Sequence, residues 1–139
     1  MYYSLIMKGI KINRINSVNP GDPFKQTIEL FKGEEGRQVT VNFRDEDSPH
    51  KSHYHEGIDP SKDPEKLCIL EGKVKLLAEN EHGERLELII GIGEDKGSRH
   101  VTEITIDKGV KHDVVYLSKC IILEYRSTIF NPDKSDMHY

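Results

Sequence analysis

The sequence predicts an all-β fold, an antiparallel sandwich or barrel, on three observations. Roughly eight to ten short runs alternate apolar and polar residues, the period-two pattern of half-buried strands. Turn residues separate these runs at short, regular intervals, as at Glu71-Gly72, Asn80 to Glu84 and Asp107-Lys108-Gly109. No stretch sustains a long helical period, and no internal repeat or low-complexity segment breaks the pattern.

Length and composition narrow the class further. A chain of 139 residues favours one domain, residues 1–139, large enough for a real core. Lys and Arg number 20 against 24 Asp and Glu, a net charge of −4, so no basic excess points to nucleic acid. No polybasic run suits an anionic membrane, and no apolar run approaches spanning length. Tyr2 to Met7 is too short for a secretory leader, and Met7 is itself a candidate start. Cys68 and Cys120 form no CxxC pair and each lies in an apolar run. We expect buried, reduced thiols in a cytoplasmic protein.

Taken in order, residues 1–22 read as an N-terminal arm, with Ile10, Ile12 and Ile15 marking a short strand. Asn19 to Pro23 is a turn cluster. Phe24 to Phe31 fits helical spacing through Phe24, Ile28 and Phe31, and strand alternation through Ile28 and Leu30. We read it as a strand, turning at Lys32 to Gly36 onto the run Val39, Val41, Phe43. Expected strands follow over Glu65–Leu70, Lys73–Ala78, Leu86–Ile90 and Thr102–Ile106. Val114–Tyr116 and Ile121–Tyr125 are expected to pair around Leu117-Ser118-Lys119, and residues 127–139 form a polar tail.

Four residues carry the chemistry. His53 and His55 stand at i and i+2, so on an extended segment both imidazoles point to one face. Glu65 shares parity with Leu67 and Ile69, which sets a carboxylate on an apolar face, a costly arrangement unless it is paired or binds a cation. His112 shares parity with Val114 and Tyr116. Three histidines and a carboxylate aimed inward make a mononuclear site for a divalent transition metal: Fe, Mn, Zn, Ni or Co. His50 lies in the loop before the pair, and Arg44 and Lys51 are basic enough to meet a substrate phosphate. The ordinary reading for these three is a solvated loop, as it is for His82, His100 and His138.

At these residues the chain resembles the cupin superfamily. The first cupin motif, H-x-H, a spacer, E, six residues and G, is matched by His53, His55, Glu65 and Gly72. The second, P-x-G-x-x-H, is matched by Gly109 and His112, with Asp107 in place of proline. The resemblance spans about residues 37–126 and implies a double-stranded β-helix, the cupin jelly-roll barrel. It departs from the family at one point. Nine residues separate His55 from Glu65, where three or four are usual, so Glu56 is the substitute carboxylate should Glu65 fall short. Within the superfamily the chain is most similar to small proteins of polysaccharide gene clusters. These are cupin-fold metalloproteins and sugar-nucleotide 3,4-ketoisomerases, and the likeness extends through the tail from Phe130 to Asp136. The ketoisomerases use their histidines for acid–base work.

That resemblance implies an isomerase or epimerase of a keto or hydroxy carbohydrate, with metal ligands His53, His55, Glu65 and His112. His112 and Tyr116 are then the acid–base candidates. A Fe(II)-dependent dioxygenase and a non-catalytic sugar-binding or sensing module are the alternatives. The expected partners are a small-molecule substrate and a second copy of the chain, with residues 2–15 crossing between copies.

Overall fold

The structure, a computed structural model, describes residues 7–139. Its described strands are β1 (Ile10–Asn16), β2 (Gln38–Arg44), β3 (Glu65–Glu71), β4 (Lys73–Glu79) and β5 (Arg85–Gly91). They continue with β6 (Gly93–Asp95), β7 (Ser98–Ile106), β8 (Lys111–Tyr116) and β9 (Cys120–Arg126). The only helical turn among the described residues is a 3-10 turn at Pro60–Lys62. A six-stranded sheet runs β1-β7-β3-β9-β2, with β6 added against β7, and a three-stranded sheet runs β5-β4-β8. Every ladder is antiparallel.

The alternation read from the sequence sets the core between the two sheets. Ile10 and Ile12 of β1, Leu67 and Ile69 of β3, and Ile104 and Ile106 of β7 meet Val74, Leu76 and Ala78 of β4. Each is buried, and full burial of one such aliphatic side chain contributes roughly 1.5–3 kcal/mol. The chain crosses between sheets at Gly72, where φ is +85° and an added Cβ would strike the Lys119 carbonyl. Only glycine adopts that turn against that backbone without strain.

Several expectations are corrected. Val114–Tyr116 and Ile121–Tyr125 do not pair: β8 joins the small sheet and β9 the large one. Phe24–Phe31 forms no strand. Asp22 accepts the N–H groups of Phe24 and Lys25, starting an irregular run that lies across the outer face of the large sheet. There Phe31 stacks on Tyr125 with ring centroids 4.9 Å apart, and Ile28 and Leu30 join the cluster around Cys68 and Val101. Burial, with Glu103 nearby, pushes the Cys68 thiol up to about 12, which keeps it protonated and unreactive.

The arm forms the strand read from its isoleucines. Ile10–Asn16 pairs along its length with β7 of its own chain, because its apolar parity matches the core face. Residues 2–6 of the segment expected to cross lie outside the described residues. The alternation of β2 holds, with its apolar face turned outward. Val39, Val41 and Phe43 are 56%, 46% and 74% exposed, while Asn42 and Arg44 line the interior. The polar face of this edge strand turns inward because the space it faces is a cavity rather than a filled core.

Candidate functional site

That cavity opens between the sheets and has a volume of about 500 Å³. Leu67, Ile69, Leu76 and Ile122 form apolar walls, with Arg44 and Lys51 among the charged lining groups. His53, Glu65 and His112 line it together, and Tyr116 lies on the same strand face as His112.

Backbone pairing delivers the histidines. His53 and His112 exchange two hydrogen bonds, N to O at 2.9 Å and 2.8 Å, so the H-x-H segment lies beside β8. The Gly109 N–H donates to the His55 carbonyl at 2.7 Å, and Tyr54 exchanges two bonds with His138. Glu65 enters as the first residue of β3. The loop of nine residues does not hold it away: its Oε2 lies 3.1 Å from Nε2 of both His55 and His112. Ligand atoms of His53, His55, Glu65 and His112 all lie within 4.8 Å of one another. Glu56 is not part of this group, its carboxylate lying 3.8 Å from the His138 ring.

The outer nitrogens decide what the cluster can hold. His53 Nδ1 is 2.8 Å from the Lys51 carbonyl, His55 Nδ1 2.8 Å from the Asp136 carbonyl, and His112 Nδ1 2.9 Å from the Val110 carbonyl. A carbonyl oxygen only accepts, so each Nδ1 carries its proton and a neutral ring presents a lone pair at Nε2. With the rings neutral, three lone pairs and a carboxylate face one point; His55 Nε2, 3.1 Å from Glu65, donates to it when that ring is protonated. His112 Nε2 is buried and has no hydrogen-bond partner, despite its proximity to Glu65. Acceptors crowded together in a buried site require a cation between them, either a metal ion or added protons.

The ionisation pattern agrees. Burial would raise the Glu65 carboxyl, but His112, His55 and Lys62 outweigh it and hold it well below its ordinary value. Burial lowers His55, and the Glu65 carboxylate overcomes this to raise it. For His53 burial prevails and lowers the value, which favours the neutral ring a metal needs. Lys62 also approaches the site, its Nζ 3.7 Å from Glu65 and 3.4 Å from Glu124. The donor set of three imidazoles and one carboxylate thus fits a divalent transition ion.

Two functional contributions escaped the sequence reading. Lys62 sits in the long loop, where charge alone marks nothing. Asp136 sits in the expected tail, yet it is buried and bonded both to His55 and to the loop after it. The similarity of the tail to the polysaccharide-cluster proteins was the one available signal. His50 pairs with Asp113 at 2.9 Å rather than joining the cluster.

An antiparallel double-sheet jelly roll enclosing a histidine-lined cavity defines a cupin-like fold, and comparison with solved structures bears this out. WlaRB, a TDP-quinovose 3,4-ketoisomerase from Campylobacter jejuni, superposes with a TM-score of 0.66 at 15% identity, covering 94% of this chain and 93% of its own. ChmJ, a 3'-monoepimerase from Streptomyces bikiniensis solved with dTDP-quinovose, gives 0.68 at 16% identity, over 96% of this chain and 71% of its own. A variant of the 3,4-ketoisomerase QdtA from Thermoanaerobacterium thermosaccharolyticum, solved with TDP-4-keto-6-deoxyglucose, gives 0.63 at 12% identity, over 95% and 88%. No family model matches the sequence, and no curated protein matches it. The chain therefore shares the fold of sugar-nucleotide isomerases and epimerases at low sequence identity.

Proposed function

We propose that the protein is a metal-binding cupin that isomerises or epimerises a keto or hydroxy carbohydrate. The observation that carries this reading is the convergence of three Nε2 lone pairs and the Glu65 carboxylate in the cavity. His53, His55, Glu65 and His112 would hold the divalent ion, which supplies a Lewis acid for a substrate carbonyl oxygen. The chain's own groups do the remaining work. The apolar walls exclude water from the sugar, and Arg44 and Lys51 face a phosphate. Tyr116 moves the proton between neighbouring carbons. With His112 engaged as a ligand, Tyr116 is the remaining acid–base group of the two.

A second reading keeps the isomerase and drops the metal. The 3.1 Å contacts of Glu65 with His55 and His112 also suit protonated imidazoles, and His112 is then the acid–base group. Metal content separates the two.

TDP-4-keto-6-deoxyglucose, the compound bound in the QdtA variant, is the first substrate to test. In deuterium oxide, an isomerase incorporates solvent deuterium beside the carbonyl, seen by proton NMR. Binding without exchange, across a panel of keto-sugar nucleotides, would favour the sensing module. Oxygen uptake with Fe(II) would favour the dioxygenase.

The same reading sets the protein in the cytoplasm, where Cys68 and Cys120, both free thiols, stay reduced. No helix among the described residues is long and apolar enough to cross a membrane. For the homodimer we propose the β2 edge in place of the N-terminal arm. Val39, Val41 and Phe43 are exposed there, and β2 ends its sheet among the described residues. Light scattering should show a dimer that Val41→Lys dissociates; a monomeric parent protein would contradict it.

A further inference from the structure

His55 and Glu65 meet across a loop of nine residues, and a loop of that length does not by itself fix the relation of its ends. In this chain Asp136 does so. Its carbonyl accepts the Nδ1–H of His55 at 2.8 Å. Its Oδ1 accepts the Glu56 N–H at 2.9 Å, and its Oδ2 accepts the N–H groups of Gly57 and Asp59, each at 3.1 Å.

The line continues to Glu65. Asp59 accepts from the Ser61 N–H at 3.0 Å and from its hydroxyl at 2.8 Å. Ser61 Oγ accepts from Arg126 at 3.1 Å. Lys62, next in the chain, reaches the Glu65 carboxylate. Asp136 is itself held in place. Its neighbour His138 exchanges backbone hydrogen bonds with Tyr54 at 2.9 Å and 3.0 Å, stacks on the Tyr54 ring, and lies 3.1 Å from Asp136 Oδ1. Asp136 is only 5% exposed, so little water competes for these bonds.

We infer that Asp136 is a positioning residue of the cation site. Its carbonyl selects the His55 tautomer that aims Nε2 inward, and its carboxylate fastens the loop so that Glu65 meets that nitrogen. The C-terminal segment is thus part of the functional site and compensates for the long spacer between the two motif residues. This rests on the reading that the cluster binds a divalent ion.

The test compares the parent protein with Asp136→Asn and Gly83→Ala. In Asp136→Asn an amide NH₂ opposes backbone N–H groups. In Gly83→Ala a strained turn residue is placed away from the site, at φ +77° with open space around it. Zn²⁺ affinity is measured by chelator competition, and the ring nitrogens of His55 by ¹H–¹⁵N NMR on the metal-free protein. Asp136→Asn should weaken Zn²⁺ by about 10- to 100-fold and lose the single Nδ1–H tautomer of His55, while His53 and His112 keep theirs. Gly83→Ala should lower the melting temperature and leave both readings unchanged. Zn²⁺ affinity within twofold of the parent, with the His55 tautomer intact, would overturn the assignment. If the parent protein binds no Zn²⁺, the cation reading fails separately. The His55 tautomer then decides the positioning role alone: loss in Asp136→Asn supports it and retention overturns it.

Discussion

The two halves of the cluster are held by different means. His53 and His112 face each other across a direct backbone pair, and each Nδ1 is bonded to a carbonyl two residues earlier in its own segment. The orientation of each ring is set locally. His55 and Glu65 are joined through Asp136, 81 residues beyond His55, and through the loop it fastens. The first half needs one direct backbone pair between two segments; the second also needs the C-terminal segment to dock. A site can thus combine a half held by one direct backbone pair and a half held through an intermediary segment.

Substitutions sharpen that contrast. The largest effect is expected at Glu65, which both halves share. Glu65→Gln removes the only anionic ligand, and Zn²⁺ affinity should fall by more than about 100-fold, beyond the loss from an outer partner. The amide still donates to an imidazole, so circular dichroism should show the fold retained. Loss of the fold would mean that Glu65 is structural before it is functional.

Acid should reach the docked half through Asp136. Burial would raise its carboxyl, but the N–H groups of Glu56 and Asp59, with His138 and Gly57, hold it below its ordinary value. A depressed carboxyl contributes stability that is present above its unfolded value of about 3.9 and lost as pH falls through the folded value. Urea midpoints should therefore drop in the parent below about pH 4, and less steeply in Asp136→Asn. Parallel curves would deny the carboxylate its role.

The smallest effect is expected at the turn before β8. Gly109 takes φ +82° in the turn before β8 and has open space around a Cβ. Gly109→Ala should cost about 1 kcal/mol of stability through left-handed strain alone. Zn²⁺ affinity should not change, because the Gly109 N–H still reaches the His55 carbonyl.

What the sequence made legible follows the same division. The shared parity of His53 with His55, of Glu65 with Leu67 and Ile69, and of His112 with Tyr116 is a local property, and alternation displays it directly. Most strand positions were visible for the same reason. Alternation does not say which face turns inward, so it left the outward direction of the β2 valines undecided. Nor does it say which strands meet, so β8 and β9 were paired across a turn that instead links two sheets. Phe24 to Phe31 covers a sheet face without entering a ladder, so neither of the two periods it fits marks an element. Asp136 acts through a backbone carbonyl and three backbone N–H groups, contacts that leave no residue pattern at either end.

The most direct test of the central claim is elemental analysis of untagged protein purified without chelator, beside a His53→Ala/His112→Ala double variant. The account predicts a near-stoichiometric divalent transition metal in the parent protein and its loss in the variant. No metal in either, from protein that remains folded, would contradict it and leave the cluster as a proton-sharing acid–base site.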